Sequence, residues 1–146
     1  MIFLVEDDPL VSRMYERVFK LERYEVEMAF NGEEAVSKLA LISSLPTVIL
    51  LDILMPKMSG FDFLRHIKQQ PVLSDIPIVV LTNLAGVDDA EKALAMGAVM
   101  YLVKSQYDAK QIVNKIEEIV GAYTRTNVKD NLPEVKVPTK DLPDIK

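Results

Sequence analysis

The chain has 146 residues, 17 of them basic and 22 acidic, a formal net charge of −5 and no cysteine. That length suits one domain burying roughly 70% of its unfolded surface, and the lack of cysteine excludes disulfide frameworks, thiolate zinc sites and cysteine nucleophiles. Setting aside residues 124–146, with five basic and four acidic residues, leaves residues 1–123 with 12 basic and 18 acidic, a charge of −6 that would repel a nucleic-acid backbone.

Taken in chain order, short apolar runs at Ile2–Val5 and residues 25–29, 47–51, 76–81 and 98–103 read as strands. Four are almost wholly apolar, as strands covered on both faces must be. Glu25-Val26-Glu27-Met28 instead alternates like an edge strand. The stretches between carry helical spacing. Leu10, Met14, Val18 and Leu21 form one stripe, Ala35, Leu39 and Ile42 a second, Phe61, Leu64 and Ile67 a third, and Ile112, Ile116, Ile119 and Val120 the last. Pro9 opens the first helix behind an Asp8 cap, Asn31 caps the second and Asp108 the last. Strict alternation of five strands and helices predicts a doubly wound α/β domain: a five-stranded parallel sheet with helices on both faces.

The helical pattern stops after Tyr123, so residues 1–123 form the expected domain. Residues 124–146 form an expected extended tail or linker, because prolines at 133, 138 and 143 exclude a regular helix. The longest apolar run, residues 98–103, is far short of the roughly 20 residues a membrane helix needs. The apolar N-terminus has no basic stretch before it turns acidic, so neither a membrane span nor a signal peptide is expected, and the cytoplasm is the expected location.

Ligands of open parallel sheets bind beyond the carboxyl ends of the strands. There the sequence places Glu6 and Asp7 after the first strand, Asp52 after the third, Thr82 after the fourth and Lys104 after the fifth. Carboxylates crowded on one rim raise one another's pKa unless a cation sits among them. Hard oxygen donors without histidine or cysteine suit Mg2+, whose shell substrate phosphate oxygens typically complete. Lys104 and Thr82 would supply a point charge and a hydroxyl donor to a phosphoryl group. Asp52, leaving a buried central strand, is the expected nucleophile in aspartyl phosphate formation.

These residues resemble the receiver domain of two-component response regulators over residues 1–123. The matching pieces are Phe3-Leu4-Val5-Glu6-Asp7-Asp8, Leu50-Leu51-Asp52-Ile53-Leu54-Met55-Pro56 with Gly60, Val79-Val80-Leu81-Thr82 and Tyr101-Leu102-Val103-Lys104. The resemblance implies a flavodoxin-like strand order of 2-1-3-4-5, with Glu6, Asp7 and Asp52 at the switch point. It further implies that Asp52 is the phosphoacceptor, taking its group from the phosphohistidine of a sensor histidine kinase or phosphotransfer protein. Asp7 would bind Mg2+ directly, Glu6 through water, and the backbone carbonyl of Leu54 would complete the protein's ligands. Lys104 would neutralise the phosphoryl oxygens. Thr82 would move toward them and Tyr101 would change rotamer, re-biasing the surface of helix 4, strand 5 and helix 5 for a downstream protein target.

Two departures from the family pattern carry expectations. Ser105 stands where a proline commonly follows the lysine, which predicts a trans bond there. Asn83 is larger than the small residue usual after the threonine, and apolar Leu54 and Leu84 would exclude an attacking water, so a long-lived phosphoryl group is expected. His66, among polar neighbours, reads as a solvated helix position. The expected role is a signalling switch and not an enzyme, acting alone or as the regulatory part of a larger protein. A flavin site is disfavoured by the charge of Glu6-Asp7, and a haloacid-type phosphatase by Leu54 where a second acid would stand.

Overall fold

The computed structural model describes residues 1–126; the expected extended tail, apart from its first three residues, lies outside the described residues. The strands are β1 (Ile2–Val5), β2 (Val26–Ala29), β3 (Val48–Leu51), β4 (Ile78–Thr82) and β5 (Met100–Val103). The helices are α1 (Pro9–Leu21), α2 (Gly32–Leu41), α3 (Gly60–Lys68), α4 (Val87–Ala95) and α5 (Ala109–Thr126), with a 3-10 turn at Lys104–Gln106. All strand pairs are parallel, in the order β2-β1-β3-β4-β5. The sheet and its order are those expected, with the alternating β2 at an edge. Helix α5 runs three residues past Tyr123.

Caps set the helix starts. Pro9 occupies the first turn of α1, and the Asp8 carboxylate accepts from the backbone N–H groups of Leu10 and Val11. Asn31 accepts from Glu34 N at 2.8 Å. Asp108 and Gln111 exchange side-chain to backbone bonds of 2.8 and 2.9 Å, a reciprocal capping box.

Strand residues alternate between two apolar layers. Phe3, Val5, Ile49, Leu51, Ile78, Val80, Tyr101 and Val103 face α2, α3 and α4. Ile2, Leu4, Val48, Leu50, Val79, Leu81 and Leu102 face α1 and α5. In α2, α3 and α5 the stripes read from sequence face the core, although Ile42, Phe61 and Val120 are half-buried and Phe63, outside the α3 stripe, is fully buried. Helix α1 is the exception: Leu10 and Leu21 are 80% and 76% exposed, Met14 is exposed, and Ser12, Tyr15 and Phe19 are buried instead. The inward face is rotated by one residue, so that Val11, Tyr15, Val18 and Phe19 meet the sheet. Among the described residues no helix is long and apolar enough to cross a membrane.

Candidate functional site

Register alone brings the rim residues together. Val5 pairs with Leu51, and the ladder continues one residue further as Asp52 N donates to Val5 O and Glu6 N to Ala29 O, each at 3.0 Å. Glu6 and Asp52 are thus neighbours on the two central strands. On the other side Thr82 pairs with Val103, which sets Lys104 just past the end of β5. Glu6, Asp52 and Thr82 are 2%, 6% and 0% exposed, and with Ser12 they are the buried polar residues of the described chain.

Burial of carboxylates requires a partner. Lys104 Nζ donates to Glu6 Oε1 and, at 3.0 Å, to Asp52 Oδ2. The remaining acceptors are also used: Asp8 N donates to Glu6 Oε2 and Leu54 N to Asp52 Oδ1, each at 3.1 Å. Burial opposes the charge on Lys104, but the Glu6 hydrogen bond and the Asp52 carboxylate outweigh it and raise its pKa above the ordinary lysine value. Lys104 is therefore a fixed positive charge. Burial pushes the Glu6 carboxyl up, against the pull of Lys104.

Glu6, Asp7 and Asp52 each offer a carboxylate oxygen, all within 4.8 Å of one another. Three carboxylates against one lysine leave two negative charges, and every donor is a hard oxygen, so these residues fit a divalent cation. Asp7 is half-buried and borders an open cleft of about 490 Å³, also lined by Leu54, Met55, Pro56, Phe61 and Leu84. Leu54 is 53% exposed in that cleft. Gly60 is required where α3 begins against the end of β3: a Cβ there would lie 2.4 Å from Asp52 O and 2.5 Å from Ile53 Cα.

The hydroxyl groups belong to the opposite layer. Leu84 N donates to Thr82 Oγ1 at 3.3 Å, and the buried Tyr101 hydroxyl donates to Leu84 O. Thr82 and Tyr101 thus both hydrogen-bond to the backbone of Leu84. No cis peptide occurs among the described residues, and the bond to Ser105 is trans, as the missing proline implied. Asn83 is exposed, His66 is half-buried in the last turn of α3, and Met55 and Met58 pack on the core.

One residue escaped sequence reading. Tyr15 is 3% exposed and its phenol feels the charges of Lys104, Glu6 and Asp52. With Leu10, Met14 and Leu21 assigned to the inner stripe, Tyr15 fell outside it. The signal that finds it is the rival stripe of Val11, Tyr15 and Phe19, at a spacing of four.

Residues 2–117 match the response regulator receiver domain family, and the chain belongs to it. A gliding motility regulatory protein of Myxococcus xanthus is 32% identical over 81% of this chain and 15% of its own length. The receiver domain of a signal transduction histidine kinase from Syntrophus aciditrophicus superposes with a TM-score of 0.76 at 31% identity, covering 86% of this chain and 92% of that one. The Mn2+-bound form of response regulator Rcp1 gives 0.68 at 33% identity, covering 91% and 98%. The chain spans between 15% and 52% of the length of the curated relatives it matches. Receiver domains of this family interact with histidine kinases or phosphotransfer proteins and with downstream targets.

Proposed function

We propose that this chain is a phosphorylation-dependent switch of a two-component pathway, with Asp52 as phosphoacceptor. The observation that carries the reading is the Lys104 ammonium held between Glu6 and Asp52. An Asp52 carboxylate oxygen forms the bond to phosphorus, the phosphorus–nitrogen bond of a phosphohistidine breaks, and its electron pair returns to the imidazole. Lys104 pairs with the phosphoryl oxygens and Leu54 N keeps the carboxylate oriented. Glu6, Asp7, Asp52 and the Leu54 carbonyl would hold Mg2+, which when bound offsets the charge of those oxygens. The Mn2+-bound form of Rcp1 supports a divalent cation here.

Thr82 then leaves Leu84 N for the phosphoryl group, Leu84 shifts, and Tyr101 loses its acceptor and turns. The surface of α4, β5 and α5 changes with it and is the output face for a downstream protein. Residues 1–123 constitute the switch, the rest of the chain is a linker or tail, and the protein works in the cytoplasm without binding nucleic acid itself. A second reading, the regulatory part of a larger protein, is favoured by the 15% to 52% of its relatives' length that the chain spans. The test is incubation with acetyl phosphate and Mg2+ followed by intact mass. The wild type gains one phosphoryl group and Asp52→Asn gains none; equal gain by both would overturn the assignment.

A further inference from the structure

We propose that residues 132–138 of this chain dock into the apolar groove between the ends of α2 and α3, with Leu132, Val135 and Pro138 turned to its wall. The groove encloses about 350 Å³ at the rim formed by the amino ends of the strands. Leu39 and Leu73 are its buried members and Ile42 is half-buried, whereas Leu45 and Val72 are 45% and 71% exposed. Leu41 beside it is 87% exposed. Apolar side chains gathered in this way mark a surface that another stretch of chain covers.

The course of α5 points to the occupant. It starts beyond the carboxyl end of β5, and its 18 residues run back about 27 Å, so Thr126 stands at the same amino rim as the groove. Near that end Tyr123 packs on the layer that includes Val99 and Met100, where β5 begins. Its phenol also senses the charge of Asp75, which lies two residues past Leu73 of the groove. The connection that lines the groove thus passes beside the end of α5. Residues 127–131 then supply about 17 Å of extended chain before Leu132.

The sequence of that stretch matches the groove. Leu132 and Val137 each precede a proline, which favours an extended, polyproline-type chain. Three residues per turn set Leu132, Val135 and Pro138 on one side over about 19 Å, and turn Glu134, Lys136 and Thr139 away. Such a chain makes no hydrogen bonds of its own, and Gln70, half-buried at the groove, offers an amide to its backbone. The prolines lower the cost of ordering it. On so short a tether the segment faces the groove at roughly millimolar concentration, so weak contacts suffice.

The chain has no cysteine, so a nitroxide on Ser43→Cys, exposed just past α2, probes the groove in the full chain by NMR. The amide signals of Leu132, Glu134, Val135, Lys136 and Val137 lose about half of their intensity or more, as an effective concentration matching a millimolar dissociation constant requires. A label on Gln106→Cys, at the opposite rim, leaves them sharp. Val72→Asp restores the lost intensity, and so does Leu132→Asp combined with Val135→Asp; should Val72→Asp fail to fold, the second variant decides alone. Sharp signals at 132–137, broadening centred on Leu142–Ile145, or broadening that the substitutions leave unchanged would each overturn the proposal. Broadening in a mixture of spin-labelled chain and isotope-labelled chain without the nitroxide would overturn it too, because the occupant would then be a second copy.

Discussion

The two ends of one sheet differ more than its two faces. At the carboxyl ends of the strands, Glu6, Asp52, Thr82 and the end of Lys104 are buried among charges and hydroxyls. At the opposite rim, the ends of α2 and α3 enclose a shallow groove of about 350 Å³ lined by Leu39, Ile42, Leu45, Val72 and Leu73. Its polar side chains are few, and Leu41 and Val72 are 87% and 71% exposed. The same alternation of strand residues supports both rims. One is apolar and partly open, whereas the other holds buried charges paired through Lys104.

That contrast breaks first at Lys104. Lys104→Met leaves two buried carboxylates without their cation and costs about 3–5 kcal/mol of stability by urea unfolding. A loss below 1 kcal/mol would show that water already compensates these charges. At the packed rim, Leu39→Ala removes a side chain 3% exposed and costs about 2–5 kcal/mol, independent of salt and Mg2+.

Alkaline pH probes the hydroxyl pair. Burial, with smaller contributions from the Asp89 and Asp52 charges, holds the Tyr101 phenol above its ordinary value of 10.0. Its stabilisation is thus complete below pH 10 and is lost above it, as the unfolded chain ionises first, by up to about 1.4 kcal/mol per pH unit. The stability difference between wild type and Tyr101→Phe should be flat to pH 10 and shrink beyond it. Asn31→Ala, which removes the cap of α2 just past the end of β2, costs about 1 kcal/mol in thermal unfolding. Leu41→Ala, smallest of all, changes stability by less than about 0.5 kcal/mol.

How much of this was legible follows from which contacts are local. The rim could be read because a strand end is marked by a polar residue after an apolar run, and Glu6, Asp7, Asp52, Thr82 and Lys104 all follow that rule. Their pairings, Lys104 with Glu6 and Asp52, join residues 98 and 52 positions apart and depend on strand order, which came from family likeness. Strand starts shifted for a visible reason: β4 begins at Ile78, after Pro77, which has no N–H for the ladder. Helix α1 misled because it carries two apolar stripes one residue apart. Periodicity cannot choose between Leu10-Met14-Leu21 and Val11-Tyr15-Phe19, and only the sheet beneath does. The choice hid Tyr15, which is buried on the inward face of α1.

The central claim is that Asp52 carries the phosphoryl group. Borohydride reduces an aspartyl phosphate to homoserine, so peptide mass mapping after phosphorylation and reduction reads the modified position itself. The account predicts homoserine at position 52 and at no other acid of the rim. Homoserine at Asp7 or Asp8, or none anywhere after a confirmed gain of phosphate, would contradict it.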